Sequence, residues 1–276
     1  MEKITCVIDN TVRHGSPFWG EHGLSFFIET DNGSVLFDTG QTETVLSHNL
    51  DLLGSAPRGI TALALSHAHV DHTGGLAAAL ALKPGVMLYA NPDLFRPRYV
   101  MRGSEYKSIG LTMTREDLAR RVDLRLSATP VEIVPGLWTT GEITDRSEPE
   151  GRSSRHVVHA DGGWQPDAYR DDMSLVVEAR EGLTVICGCC HAGLLNTLAH
   201  VHRVFQQPIV AIIGGAHLVD ADVAHLQHVI GVLRGVYGSP RLYLNHCTGA
   251  RAVFALTNAF GDRVKPFPAG AVLELD

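Results

Sequence analysis

The segment LSHAHVDHTGG, residues 65–75, constrains this chain more than any other. It places three histidines and one aspartate within six positions, at the end of the apolar run that starts at Ile60. In extended backbone, residues two apart share a face, so His67 and His69 point together while Ala68 turns away. Asp71 and His72 follow where Gly74 and Gly75 let the chain bend into a helix. Four such groups crowded unpaired beside a core would be costly. Imidazole and carboxylate are good ligands for zinc, iron or manganese. The adjacent sets His67/His69 and Asp71/His72 therefore predict two neighbouring divalent metal ions, zinc first, with iron or manganese as alternatives.

Four residues cannot complete two coordination shells, so other strand ends must deliver more ligands. In TVICGCCHAG, Cys189 and His191 come just past an apolar strand, and in LYLNHCTGA, His246 closes another. Cys189 has packing as its alternative role; Cys190 and Cys247 are weaker candidates. Asp38, in VLFDTG, ends a strand and is expected to orient a ligand histidine, the alternative being a helix N-cap. His217, in IIGGAHL, is a candidate to hydrogen-bond substrate or to pack. Asp171 and Asp172 open the strand MSLVVEA, where solvated acids are commoner than metal-bridging ones. His200, His202, His225 and His228 fall on helical stretches, and His14, His22 and His48 carry no spacing signal.

Composition narrows the partners. The net charge of −7 leaves no electrostatic footprint for nucleic acid or an anionic membrane surface. No apolar stretch reaches the roughly 20 residues of a membrane-spanning helix, and residues 1–10 contain no signal-peptide apolar core. Cys187, Cys189 and Cys190 sit too close together for a normal disulfide framework, which points to free thiols in a reducing compartment, the cytoplasm.

Along the chain, strands are expected at 4–10, 23–30, 33–40, 60–67, 86–91, 131–143, 173–179, 183–189, 208–215 and 241–247. Helices are expected at 42–53, over GGLAAALAL, and at 192–206, 221–236 and 250–260. Hairpins come first in each half and strand–helix alternation second. That order predicts a four-layer α/β/β/α sandwich of two mixed sheets flanked by helices. Residues 1–276 read as a single domain with long irregular insertions at 92–118 and 144–170, a length typical of functional loops.

The motif His67-Ala68-His69-Val70-Asp71-His72 resembles the HxHxDH signature of the metallo-β-lactamase superfamily. VLFDTG, PGLWTTGEI, SIGLTMTRED, GCCHAG, GGAHL and NHCTG resemble one branch of it, the dihydropterin-6-methyl-4-(ribofuranosyl)aminobenzene phosphate synthase-like metal-dependent hydrolases. The resemblance implies an αββα fold with a dinuclear site at one edge of the sandwich. One metal would take His67, His69 and a third ligand; the other would take Asp71, His72 and His246. Many members carry a histidine before the strand at 173–179 and a bridging aspartate after the next. This chain has Asp171, Asp172 and Cys189 there, which makes His191 the compensating ligand, with Cys189 as its possible partner.

The activity this implies is hydrolysis of a small molecule by metal-bound hydroxide, with Asp71 both ligating and orienting. Arg96, Arg98, Arg102, Lys107, Arg146, Arg152 and Arg155 in the two insertions could hold a phosphate or carboxylate. Tyr99, Tyr106, Trp138 and Trp164 could stack on a flat ring such as a pterin. An iron-dependent redox enzyme and a non-enzymatic metal- or ligand-binding sensor are the alternative functions.

Overall fold

The computed structural model describes residues 2–54, 56–160 and 162–275. Two seven-stranded sheets face each other. In the first, the strands lie in the order Val272–Leu275, Glu2–Ile8, Ser25–Thr30, Gly33–Phe37, Ala62–Ala64, Met87–Ala90 and Asp123–Leu126. In the second the order is Val264–Pro266, Arg241–Leu244, Ile209–Gly214, Gly182–Cys187, Leu175–Ala179, Leu137–Thr139 and Glu132–Val134. Each sheet joins an antiparallel hairpin half to a parallel half, as the sequence order of hairpins and strand–helix units predicts.

The period of two along the strands sorts side chains into three interlayer cores. Phe26 and Ile28 of the first sheet meet Ile186 and Ile213 of the second between the sheets. Their neighbours face outward. Phe27 packs beneath the helices Glu43–Asp51 and Leu76–Leu82. Val185, Cys187 and Ile212 pack beneath Leu194–Phe205, Val223–Gly235 and Ala250–Phe260. Four layers result.

The segments 92–118 and 144–170 depart from the irregular loops expected of them. They hold the strands Arg98–Arg102, Glu105–Ser108, His156–Ala160 and Gly163–Pro166, which pair into a third, four-stranded sheet. The alternation was masked because the partners lie far apart in sequence: Val100 pairs with His156 and Tyr99 with Val157. Arg98 anchors this sheet. It is fully buried and ion-pairs with Asp93 and Asp167 at 2.9 Å and with Asp171 at 2.6 Å.

Candidate metal centre

The clustered histidines come from the ends of strands in both sheets. His67 and His69 follow Ala62–Ala64, and Asp71 and His72 lie in the one-turn helix Val70–Thr73. Cys189 and His191 follow Gly182–Cys187, His217 follows Ile209–Gly214, and His246 follows Arg241–Leu244. The two halves meet closely at Gly188, where a Cβ would lie 2.3 Å from Ser66 Oγ. Of the seven non-glycine residues with positive φ among the described residues, five are here: Asp38, Tyr169, Cys190, His217 and His246. Strained backbone concentrated in one place is a mark of a functional site.

Two groups of ligand atoms form, and both contain Cys189. In the first, His72 Nε2, His246 Nε2 and Cys189 Sγ are mutually 3.2 Å apart. Asp71 Oδ2 lies 3.6 Å from His72 Nε2 and 3.4 Å from His246 Nε2. Tetrahedral coordination at zinc bond lengths separates neighbouring ligand atoms by about 3.3–3.8 Å, so these four atoms fit a metal ion. The second group is His67, Cys189 and His191. The His69 ring stands 4.6 Å from that of His67 and 4.8 Å from that of His191. The Nε2 atoms of His67, His69 and His191 are buried with no hydrogen-bond partner. Buried polar nitrogens left unpaired are costly, and three converging ones fit a second ion.

The opposite ring nitrogens are held in place. His72 Nδ1 meets Asp38 Oδ2 at 2.7 Å, and Asp38 also accepts from Ser66 N and Ser66 Oγ at 2.7 Å each. Asp38 therefore orients a histidine, and Thr42 is the residue that caps the helix Glu43–Asp51. His67 Nδ1 meets Ser66 Oγ at 2.8 Å, His246 Nδ1 meets Asn10 Oδ1 at 3.0 Å, and His191 Nδ1 donates to Gly151 O at 3.0 Å. Such partners select the tautomer that leaves Nε2 free for a metal.

Burial holds His67, His69, His191 and His246 neutral, the form that ligates. Burial opposes charge on His72 as well, but Asp38 and Asp71 outweigh it and raise it to about 9. For Asp71 burial acts upward, while His72 and His246 pull it far below the usual carboxylate range. Burial, then Cys247 and Asp71, push the Cys189 thiol up; a neighbouring dication reverses that order by favouring thiolate.

Asp171 and Asp172 stand outside both groups. Asp171 Oδ2 accepts from Ala68 N and Asp172 Oδ2 from Ala192 N, each at 2.8 Å. His217 lies 4.3 Å from the His191 ring, and burial followed by His156 lowers it to about 4. Two residues escaped the sequence reading. His22, which carries no spacing signal, reaches to 3.4 Å from Asp71 Oδ2. His156, on the third sheet, sets its ring 5.0 Å from His69 and meets the Tyr169 hydroxyl at 2.9 Å. Its only trace in the sequence is the short HVVHA run inside a polar stretch.

The cleft comprises two adjoining cavities of about 240 and 330 Å³, sharing His22, His69, Asp71, Arg155 and His156. A larger cavity of about 610 Å³, around Leu80 and Val122, holds none of these groups. Tyr99, Tyr106, Trp138 and Trp164 do not line the cleft, contrary to their expected stacking role. Trp164 stacks on Tyr106 at 3.8 Å, and Trp138 packs against the helix-side core with Nε1 3.3 Å from Glu178.

Known proteins are similar to this chain in sequence and fold. The family model described as the metallo-beta-lactamase superfamily matches residues 19–163. A Methanocaldococcus jannaschii protein named 7,8-dihydropterin-6-methyl-4-(beta-D-ribofuranosyl)-aminobenzene-5'-phosphate synthase is 28% identical, over 99% of this chain and 96% of its own. The crystal structure of Tm1679, titled a metal-dependent hydrolase of the beta-lactamase superfamily, is 26% identical with a TM-score of 0.83 over 99% of both chains. The metallo-beta-lactamase fold protein YhfI from Bacillus subtilis, 13% identical, shares the fold with a TM-score of 0.56, over 99% of this chain and 100% of that one. With its HxHxDH motif, its paired sheets and its clustered histidines, the chain belongs to the metallo-beta-lactamase superfamily.

Proposed function

We propose that this chain is a metal-dependent hydrolase that acts on a small molecule at a dinuclear site. The carrying observation is the pair of ligand groups that share Cys189, with three inward-facing histidine nitrogens left unpaired. His67, His69 and His191 would hold one ion, and Asp71, His72 and His246 the other, with Cys189 between them. The mixed imidazole, carboxylate and thiolate set suits zinc. When bound, the ions supply Lewis acidity toward a substrate oxygen and make water acidic enough to be a nucleophile at neutral pH.

The protein's own groups complete the chemistry. Asp71, with a side chain partly open to the cleft, ligates and accepts a proton's hydrogen bond, so it orients the attacking group. His217 stays neutral near pH 7 and lines the same cavity, from which it hydrogen-bonds substrate. The cleft volumes suit a small molecule. The name of the M. jannaschii relative supports a phosphate-bearing, pterin-like compound; that relative is named a synthase, which favours bond formation at the same site as the second reading.

The test combines metal analysis with a screen of ester, lactone, thioester and phosphodiester substrates. We expect two metal equivalents per chain, activity lost to chelator and restored by zinc, and both lost in His69→Ala with the fold intact. Full activity in metal-free His69→Ala protein overturns the proposal. The shared Cys189 thiolate also suits iron; iron retained after iron-supplemented growth, with turnover only in a redox assay, would move the reading to a redox enzyme.

A further inference from the structure

The third sheet brings cations to the cleft. Of the seven that the sequence singles out, three have structural work. Arg96 pairs with Asp93 at 2.9 Å, and Arg98 is buried among three aspartates. Arg146 donates to the carbonyls of Ile143, Ala168 and Tyr169. Lys107 and Arg152 line neither cavity. Arg102 and Arg155 differ: both line the cavity that adjoins His69 and Asp71, and neither has an ion-pair partner among the described residues. Glu105 sits across the hairpin from Arg102 without forming an ion pair with it. Arg155 is also close enough to His156 to disfavour its charge.

Arg102 and Arg155 thus line one cavity without an ion pair among the described residues, and Asp71, engaged with His22, His72 and His246, is the acid that shares the lining. Met101 N donates to Arg155 O, which sets the backbone of Arg155 beside the strand that carries Arg102, and both side chains line the one cavity. We infer that Arg102 and Arg155 form an oxyanion-binding arm that selects substrates bearing a phosphate monoester apart from the reacting bond. This rests on the reading that the reaction occurs at the histidine cluster. Two fixed positive charges match a phosphate monoester, which carries nearly two negative charges at neutral pH, better than a carboxylate with one. The guanidinium fork accepts such a group in bidentate fashion.

The experiment measures binding of phenylphosphonate and benzoate to the zinc-loaded protein by calorimetry, with metal content measured in every sample. Phenylphosphonate is expected to bind more tightly than benzoate and to lose at least tenfold in affinity in R102Q/R155Q, at unchanged metal content. The control K107Q/R152Q removes the same charge away from the cleft and is expected to change affinity less than twofold. Equal loss in the control overturns the arm in favour of a general field. Benzoate binding as tightly as phenylphosphonate overturns the phosphate assignment. If affinity survives in R102Q/R155Q and falls in H69A, the anion sits on the metals alone, which overturns the arm and leaves the hydrolase reading standing. Loss in R102Q/R155Q from a chain that holds no metal supports the arm and removes the hydrolase reading.

Discussion

Asp171 accepts a hydrogen bond at 2.8 Å from the backbone N–H of Ala68, the residue between His67 and His69. Its other oxygen takes Arg98 at 2.6 Å, so the third sheet is tied through one carboxylate to the turn that carries His67 and His69. An acid that the sequence leaves as either solvated or metal-bridging thus acts as a brace.

Breaking the brace should cost both stability and geometry. Asp171→Ala leaves the Ala68 N–H buried and unpaired, a cost of about 1–3 kcal/mol. Arg98→Met strands Asp93, Asp167 and Asp171 without their cation and should cost about 3–5 kcal/mol. Urea denaturation measures both; Arg98→Met as stable as the parent chain would show the cluster to be dispensable.

Asp38 gathers Ser66 and His72 on one carboxylate. Asp38→Ala should lower metal affinity or activity by about 10–100-fold, the usual effect of losing a group that orients a ligand. Asp38→Asn keeps one acceptor oxygen and should recover part of the loss. Metal titration with a chromophoric chelator reads the affinity, and an unchanged value in Asp38→Ala would refute the orienting role.

Gly151 has φ near +77°, and its carbonyl holds His191 Nδ1. A Cβ there would lie 2.6 Å from Gly193 N and His191 O. Gly151→Ala should therefore destabilise by about 1–3 kcal/mol and shift His191. Melting temperature and metal stoichiometry are the readouts, and a variant normal in both would contradict the packing argument.

Glu150 is buried against the start of Leu194–Phe205, where Oε1 accepts from Leu195 N and Asn196 N. Burial raises it from 4.5 to about 7, and the two N–H bonds only partly offset that. The folded chain thus binds a proton that the unfolded chain has released between these values. Stability from this group is present below pH 4.5 and is lost as pH rises through about 7, by up to about 3 kcal/mol. Glu150→Gln holds the cap without titrating, so its stability relative to the parent should improve from pH 5 to pH 8. Parallel pH profiles of the two proteins in urea denaturation would exclude the effect.

The chain's local chemistry was legible in places where it is written in consecutive residues. The two-residue alternation of His67 and His69, the apolar runs before them and the helix patterns at 192–206 and 221–236 are short-range properties. They determine the superfamily, the layered sandwich and most of the clustered residues. What only the tertiary structure decided depends on pairing between distant segments. Residues 98–102 become a strand because 156–160 supplies the partner hydrogen bonds, and neither segment alternates strongly enough to announce this. His22 and His156 reach the cleft by the same long-range route. The sequence leaves both Asp171 and Cys189 open as ligands, yet Arg98 claims the first and the second falls within both groups of candidate ligand atoms. The candidate ligand types follow from side-chain chemistry; their grouping follows from which strand ends the packed sheets bring together, with donor atoms within 4.8 Å of one another.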